Sequence, residues 1–450
     1  MTELSATAHR AVEAATDAGA SDAEAYASRD SGREVRVHGG EIESLTAATQ
    51  SGVGIRAWIG KQVGYAYGTD LSEAGIAALA AKAAEAARAA DEDEYAGPPQ
   101  PAEFEALPGL SDPSVGEWET ARVADLALTV ERTALESDPR LVGVEAAVYA
   151  DSDEQVAIAS STGVAGEYET SSCYAYLQAL AEGDGARETG LGFALARGPR
   201  SLDPEAVGAE GAQRALAMIG AGKPQSRSCP VVLDETVAAS FAGLIGGGLS
   251  AKAVQRGRSP LAGRLEQEVA SEAFALYDDG RDPEGPASAP FDAEGVPRRR
   301  TALIKGGRLR SYLYDTYTAN RERGSSTGSA SRQGYRSLPG VSTSNLVVAP
   351  GSLTLEQLLA QAGDGVYVTD VAGLHSGVNP VTGVFSVGAS GRIIRGGQLA
   401  EPVREFTIAG ELVSMLSAVE AAGAEPRWVP FGGSVSTPPL LVAELAISGS

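Results

Sequence analysis

Apolar positions recur at helical spacing over residues 3–18, where Leu4, Ala8, Ala11, Val12 and Ala15 share a face and Gly19 ends the run. The pattern then changes to alternation. Glu24–Ser28 and Arg33–His38 read as strands, Gly39-Gly40 as a hairpin turn, and Ile42–Thr49 as the return. Ser51–Ile59 and Gln62–Tyr67 read as a second hairpin around Gly60-Lys61, and Leu71–Ala90 as an alanine-rich amphipathic helix capped by Asp70 or Ser72. Residues 1–92 thus form a first α+β domain. Residues 93–113 continue an acidic, proline-rich stretch that begins at Asp91, and read as a linker.

A second α+β domain is expected over 114–226. Ser114–Glu117 has the spacing of a capping box and predicts a helix to about Ser137. Strands follow at Val142–Tyr149, Gln155–Ser160, Tyr168–Leu180 and Glu188–Ala196, then a helix at Pro204–Ile219. The third region, 227–450, opens with the apolar run Cys229–Leu233, and Asp234 can cap a helix over Glu235–Leu249. Beyond residue 285 short strands alternate with turns: Ala287–Phe291, Thr301–Lys305, Leu309–Leu313, Leu346–Ala349, Val366–Asp370, Val384–Val387, Ile393–Ile394, Phe406–Ala409 and Leu440–Ile447. Helices at Leu353–Gln361 and Glu411–Ala422 break them. The fold class expected is α+β: an α/β amino-terminal half of two subdomains, then a β-rich carboxy-terminal domain.

Composition narrows the function. A net charge of −23 over 450 residues repels phosphate backbones and anionic lipid, so neither nucleic acid nor membrane is expected as a partner. Two distant cysteines, Cys173 and Cys229, make no disulfide framework and suit a reducing cytoplasm. The amino-terminal run is polar throughout, so no signal peptide is expected.

Motif chemistry is sparse. The histidines His9, His38 and His375 lie far apart, and there is no C-x-x-C or histidine pair on one helix, so a self-contained zinc site is not expected. Gly52–Ala57 imitates a dinucleotide fingerprint, but a strand follows it where a helix is required. Asp278–Gly285 reads as a solvated acidic turn. Gly324-Ser-Ser326-Thr-Gly328 matches G-x-S-x-G, with Asp370 and His375 downstream, but its flanks do not read as strand–turn–helix. Tyr312, Tyr314, Tyr317, Asn320, Arg321 and Arg323 precede that loop and suit either a cleft reading peptide backbone or core tyrosines with solvent-facing arginines. The stretch Gly373–Gly391 combines glycines, hydroxyls, Asn379 and His375, with Pro380 and Gly383 bracketing a tight turn before a strand at Val384, Phe385 and Val387.

Several blocks in order carry a resemblance. They are Val53–Tyr67, Ser288-Ala-Pro-Phe-Asp-Ala-Glu-Gly295, Tyr312–Asn320 with Ser326-Thr-Gly328, Gly373–Ser386 and Glu401-Pro-Val-Arg404. The chain resembles the TldD/PmbA family, once labelled modulators of DNA gyrase, and its PmbA (TldE) branch in particular. The resemblance implies a role in intracellular proteolysis. In that family the TldD subunit holds zinc on a helix bearing H-E-x-x-x-H with a late cysteine, and the PmbA subunit pairs with it to enclose small or unfolded peptides. Here the comparable helix, Thr236–Leu249, reads TVAASFAGLIGGGL, without histidine or acid, and Phe431–Pro439 has no cysteine. No catalytic, cofactor or metal residue carries over. Zinc is expected in a TldD-like partner and no cofactor in this chain. The expected peptide or partner cleft comprises Tyr317, Asn320, Ser326, Thr327, Gly328, His375, Asn379, Thr382 and Gly383. The alternatives are an independent hydrolase using Ser326 and a homodimeric peptide-binding module.

Overall fold

Long antiparallel strands organise the amino-terminal half of the computed structural model, which describes residues 2–430 and 433–449. Strands β1 (Asp22–His38), β2 (Glu41–Ile59), β3 (Gln62–Gly68), β4 (Leu141–Ser160), β5 (Ala165–Gly183) and β6 (Ala186–Ala196) form one sheet in the order β3-β2-β1-β4-β5-β6. The two amino-terminal subdomains therefore share a single sheet, because β1 pairs with β2 along one edge and β4 along the other. The pairs expected as separate strands fuse: 24–28 with 33–38, 42–49 with 51–59, and 142–149 with 155–160. Polar residues inside each strand do not break it, since alternate positions can face solvent.

Helices α1 (Glu3–Asp17) and α2 (Glu73–Ala89) cover one end of a sheet face, burying Ala25, Ile55 and Ala159. Helix α3 (Ser114–Glu117) is a single turn. The capping box expected at Ser114 is not formed: Pro113 takes the cap position, and a break at Trp118 separates α3 from α4 (Thr120–Ser137). With α5 (Pro204–Leu216), α4 covers the other end of the same face over Val35, Val37 and Leu177. The β1–β2 turn is fixed from α4. Gly39 and Gly40 both take positive φ, and their N–H groups donate to the two oxygens of buried Glu131 at 2.7 Å each.

The opposite sheet face, through Tyr26, Ile158 and Tyr168, packs on Phe291 and Tyr335 of the carboxy-terminal domain. That domain starts with β7 (Arg227–Leu233), α6 (Glu235–Gly248) and α7 (Ala251–Gln255). One sheet holds β8 (Leu276–Asp279), β9 (Arg300–Lys305) and β10 (Arg308–Leu309). Helix α8 (Thr316–Arg321) leads into a small ribbon of β11 (Ala330–Ser331) and β12 (Gly340–Val341). Then come β13 (Asn345–Val348), α9 (Leu355–Ala362), β14 (Gly365–Ala372), α10 (Leu374–Gly377), β15 (Val384–Arg395), β16 (Gln398–Glu411), α11 (Leu412–Ser417), β17 (Val419–Ala422), β18 (Arg427–Val429), β19 (Ser434–Thr437) and β20 (Leu440–Ser448). Strands β7, β14, β15, β16 and β20 close into a barrel through the β16–β20 pairing, and β17 extends it. The second sheet runs β10-β9-β8-β13-β19-β18, and α6 lies in the core with Phe241 against Phe385.

Four local expectations change. The helix over Glu411–Ala422 stops at Ser417, and Val419–Ala422 pairs with β20. Ala287–Phe291 forms no strand beyond one bridge from Phe291 to Pro297. The strand at Leu309–Leu313 shrinks to Arg308–Leu309. Asp278 and Asp279 are buried at the end of β8, because that strand is paired on both sides and the Ser344 N–H donates to Asp278.

Candidate functional site

The residues singled out in the sequence form two groups on the carboxy-terminal domain. The first is built on α8. Asp315 caps this helix, accepting the Thr318 N–H at 2.8 Å, and buried Glu294 accepts the Thr316 N–H at 2.8 Å. The other oxygen of Glu294 takes Arg56 of β2 at 3.0 Å. Arg56 also pairs with Glu24 of β1 at 2.5 Å, and Glu24 in turn holds Arg332. The orientation of α8 is thus tied to the amino-terminal sheet by a buried chain of alternating charges. The opposite charges hold the Glu24 carboxyl below its usual range although burial acts to raise it.

Tyr317 and Asn320 are exposed on α8, and the structure places them against the linker. The Asn320 side-chain amide donates to the Tyr95 carbonyl at 2.9 Å, the Tyr317 ring meets Tyr95 edge-on at 6.3 Å, and the Arg321 guanidinium lies 5.4 Å from the Tyr95 ring centre. Burial and then the neighbouring Asp93 carboxylate raise the Tyr317 hydroxyl pKa. Sequence reading missed Tyr95; an aromatic ring in an acidic linker was the available signal.

The following loop is internally satisfied. Ser326 Oγ donates to the Tyr314 carbonyl at 3.0 Å and accepts the Gly328 N–H at 3.1 Å. Buried Thr327 Oγ1 accepts the Tyr314 N–H and meets Ser329 Oγ, both at 2.8 Å. The loop follows a helix and leads into β11, so the strand–turn–helix of a nucleophile elbow is not the arrangement here. Among the described residues no hydrogen bond joins Ser326 to Asp370 or His375.

The second group is the turn before β15. Asn379 Oδ1 accepts the N–H groups of Val381 and Thr382 at 2.9 and 3.2 Å, and the Gly383 N–H donates to the Asn379 carbonyl at 2.8 Å. Gly383 takes φ +76, a conformation that selects glycine, and a Cβ there would sit 3.0 Å from Glu411 Oε1. His375, Asn379 and Thr382 are exposed. Val384 is exposed as well, while Phe385 and Val387 face the core, as strand alternation requires. Ser376–Pro380, Val384 and Ser386 line an open recess of ≈ 490 Å³.

Helix α7 and Pro260 stand between the groups. Gln255 donates to the Thr318 carbonyl at 2.8 Å and to Glu322 at 2.9 Å, and Pro260 lies against Gly383. Among the described residues no hydrogen bond connects the two groups directly.

Helix α6 bears on metal chemistry. Its cap, Asp234, is fully buried and receives the Val237 N–H at 2.8 Å, Thr236 Oγ1 at 2.7 Å and Arg214 at 2.9 Å. Burial pushes the Asp234 carboxyl up to about 6. Glu235, the acid at the helix start, is paired with Arg214 at 3.2 Å and Arg427 at 3.6 Å. The inward face is Val237, Ala238, Phe241, Ala242 and Ile245. Those side chains offer no metal donor, and a zinc ion needs three or four. Among the described residues no group of three or more His, Cys, Asp or Glu side chains is placed to hold a metal ion. Of Phe431–Pro439, Phe431 and Gly432 lie outside the described residues.

Three family models match along the chain: PmbA/TldA metallopeptidase domain 1 at 23–87, the central domain at 113–219 and the C-terminal domain at 226–449. A metalloprotease PmbA homolog of Haemophilus influenzae is 30% identical over 98% of this chain and 95% of its own length. The chain belongs to the PmbA/TldD metallopeptidase family. Metalloprotease PmbA of Escherichia coli O157:H7 is 29% identical over 95% of this chain and 92% of its own length. A Thermotoga maritima protein whose crystal structure carries the label modulator of a DNA gyrase superposes with a TM-score of 0.90 at 25% identity, covering 98% of this chain and 99% of that one. The crystal structure of TldE from Thermococcus kodakarensis has the same fold, with a TM-score of 0.91 at 22% identity over 98% of this chain and 100% of that one. No helix among the described residues is long and apolar enough to cross a membrane.

Proposed function

We propose that this chain is the non-catalytic, PmbA/TldE-like subunit of a cytoplasmic zinc metallopeptidase that degrades or processes small unfolded peptides, with the zinc held by a TldD-like partner. The observation that carries this reading is α6. It lies within the C-terminal metallopeptidase match, yet its core-facing side chains are apolar and its one acid is engaged by two arginines. Relatives named metalloprotease PmbA and metalloprotease TldD support the assignment to proteolysis. The contribution of this chain is to complete the peptide chamber and position substrate.

Exposed apolar side chains support an assembled state. The Glu41–Gln50 half of β2 pairs with β1 alone, which leaves its outer edge open, and Ile42 and Leu45 are exposed along it. Val381 and Val384 are exposed beside the recess at β15. Open strand edges and exposed apolar groups are features that partner chains cover.

Co-expression with a TldD-like protein, followed by light scattering and metal analysis, tests the subunit assignment. The expected result is an equimolar complex containing zinc, with the chain purified alone free of zinc. Stoichiometric zinc in the chain alone would contradict it.

A further inference from the structure

In a chain of net charge −23, the segment Ala251–Arg264 carries Lys252, Arg256, Arg258 and Arg264 and no acid. Lys252 lies in the first turn of α7 and Arg256 caps its end, a spacing of i, i+4 that puts both on one side of the turn. The Gln255 contacts with Thr318 and Glu322 bring that end of α7 against the end of α8, where Arg321 and Arg323 flank Glu322. Arg299 joins the same neighbourhood through its 2.9 Å hydrogen bond to the Ser326 carbonyl. Lys252, Arg256, Arg258 and Arg323 are exposed, and among the described residues none of the four takes part in an ion pair or a side-chain hydrogen bond. Of the nearby carboxylates, Glu322 has one oxygen engaged by Gln255 and the other by the Tyr314 hydroxyl at 2.8 Å, and Asp93 faces the Tyr317 hydroxyl beside Arg321.

We propose that this basic surface, carried by Lys252, Arg256, Arg258, Arg321 and Arg323, docks an acidic polypeptide segment. Charge complementarity selects the occupant: clustered unpaired cations on an otherwise acidic protein favour a short run of carboxylates, while the whole-molecule field opposes a long polyanion. The chain supplies its own precedent on the same helix. The acidic run Asp91–Glu94 leads into Tyr95, whose carbonyl is read by Asn320 and whose ring is met by Tyr317 and Arg321. Helix α8 therefore already engages a turn that follows an acidic run, through a peptide carbonyl and a tyrosine ring, contacts that a polypeptide offers and a polynucleotide does not. The proposal concerns this surface alone and does not depend on a peptidase partner.

The test is fluorescence anisotropy with the full chain and a fluorescein-labelled octapeptide of alternating Glu and Asp with one Tyr. A lysine counterpart and a single-stranded DNA octamer are run beside it. The acidic peptide is expected to bind, and to weaken as added salt shortens the Debye length from about 30 Å to about 8 Å. The triple variant Lys252→Ala, Arg256→Ala, Arg323→Ala should lose affinity about tenfold with an unchanged melting temperature, since the replaced side chains are exposed rim cations. A charge-matched control, Lys82→Ala, Arg132→Ala, Arg187→Ala, should bind as the parent does. No binding of the acidic peptide, equal loss in both triple variants, or tighter binding of the DNA octamer would overturn the proposal. None of these results bears on zinc or on assembly with a TldD-like subunit, so the two readings fail separately.

Discussion

The Asp278 carboxyl is 3% exposed at the end of β8, where it accepts the Ser344 N–H at 2.7 Å. Burial, opposed by that hydrogen bond and by Arg298, moves it from 3.8 to about 6. A raised carboxyl pKa means that the folded chain binds more protons than the unfolded chain between those values. Its contribution to stability is therefore lost as pH rises from about 4 through 6. Asp278→Asn retains an acceptor for Ser344 and removes the buried charge. The variant should match the parent near pH 4 and exceed it at pH 8 by about 2–3 kcal/mol, the equivalent of a two-unit shift. Urea unfolding at the two pH values reads the difference directly.

At the scale of elements, the alternating charges Arg332, Glu24, Arg56 and Glu294 join the segment just after β11, β1, β2 and the turn that holds α8. Glu24 and Glu294 are each at most 1% exposed, so removing the arginine between them leaves buried Glu294 without its counter-ion and Glu24 with Arg332 alone. Arg56→Ala should cost about 3–5 kcal/mol by urea unfolding, as loss of one partner of a buried pair does. Much of the element order is legible in the sequence because period and punctuation agree: Gly39-Gly40 marks a turn, Asp234 caps α6, and Asn379-Pro-x-x-Gly383 fixes its own loop through local hydrogen bonds. What was hidden is long-range. Nothing near β1 announces that β4, more than a hundred residues later, fills its second edge. Val419–Ala422 satisfies a helical pattern as well as a strand, and only pairing with β20 decides it. In the candidate site, the glycines and hydroxyls were visible, but the contact between Asn320 and Tyr95 spans 225 positions and places part of the expected cleft against the linker.

For the whole molecule, a second set of charges welds the halves together. Arg214 on α5 pairs with Asp234 and Glu235 at the start of α6, and Arg427 of β18 reaches Glu210. The sheet, its helices and the barrel domain are thereby held against one another through α6, whose core-facing side chains are apolar. The account makes the molecule a framework: a fixed sheet, a barrel that presents the β15 turn, and exposed edges for a partner. The most direct test is hydrolysis of an unfolded peptide by this chain alone, by a TldD-like partner alone and by the two mixed with zinc. The account predicts an inert chain and cleavage by the mixture. Cleavage by the chain alone, abolished in Ser326→Ala, would contradict it and make this protein a hydrolase in its own right.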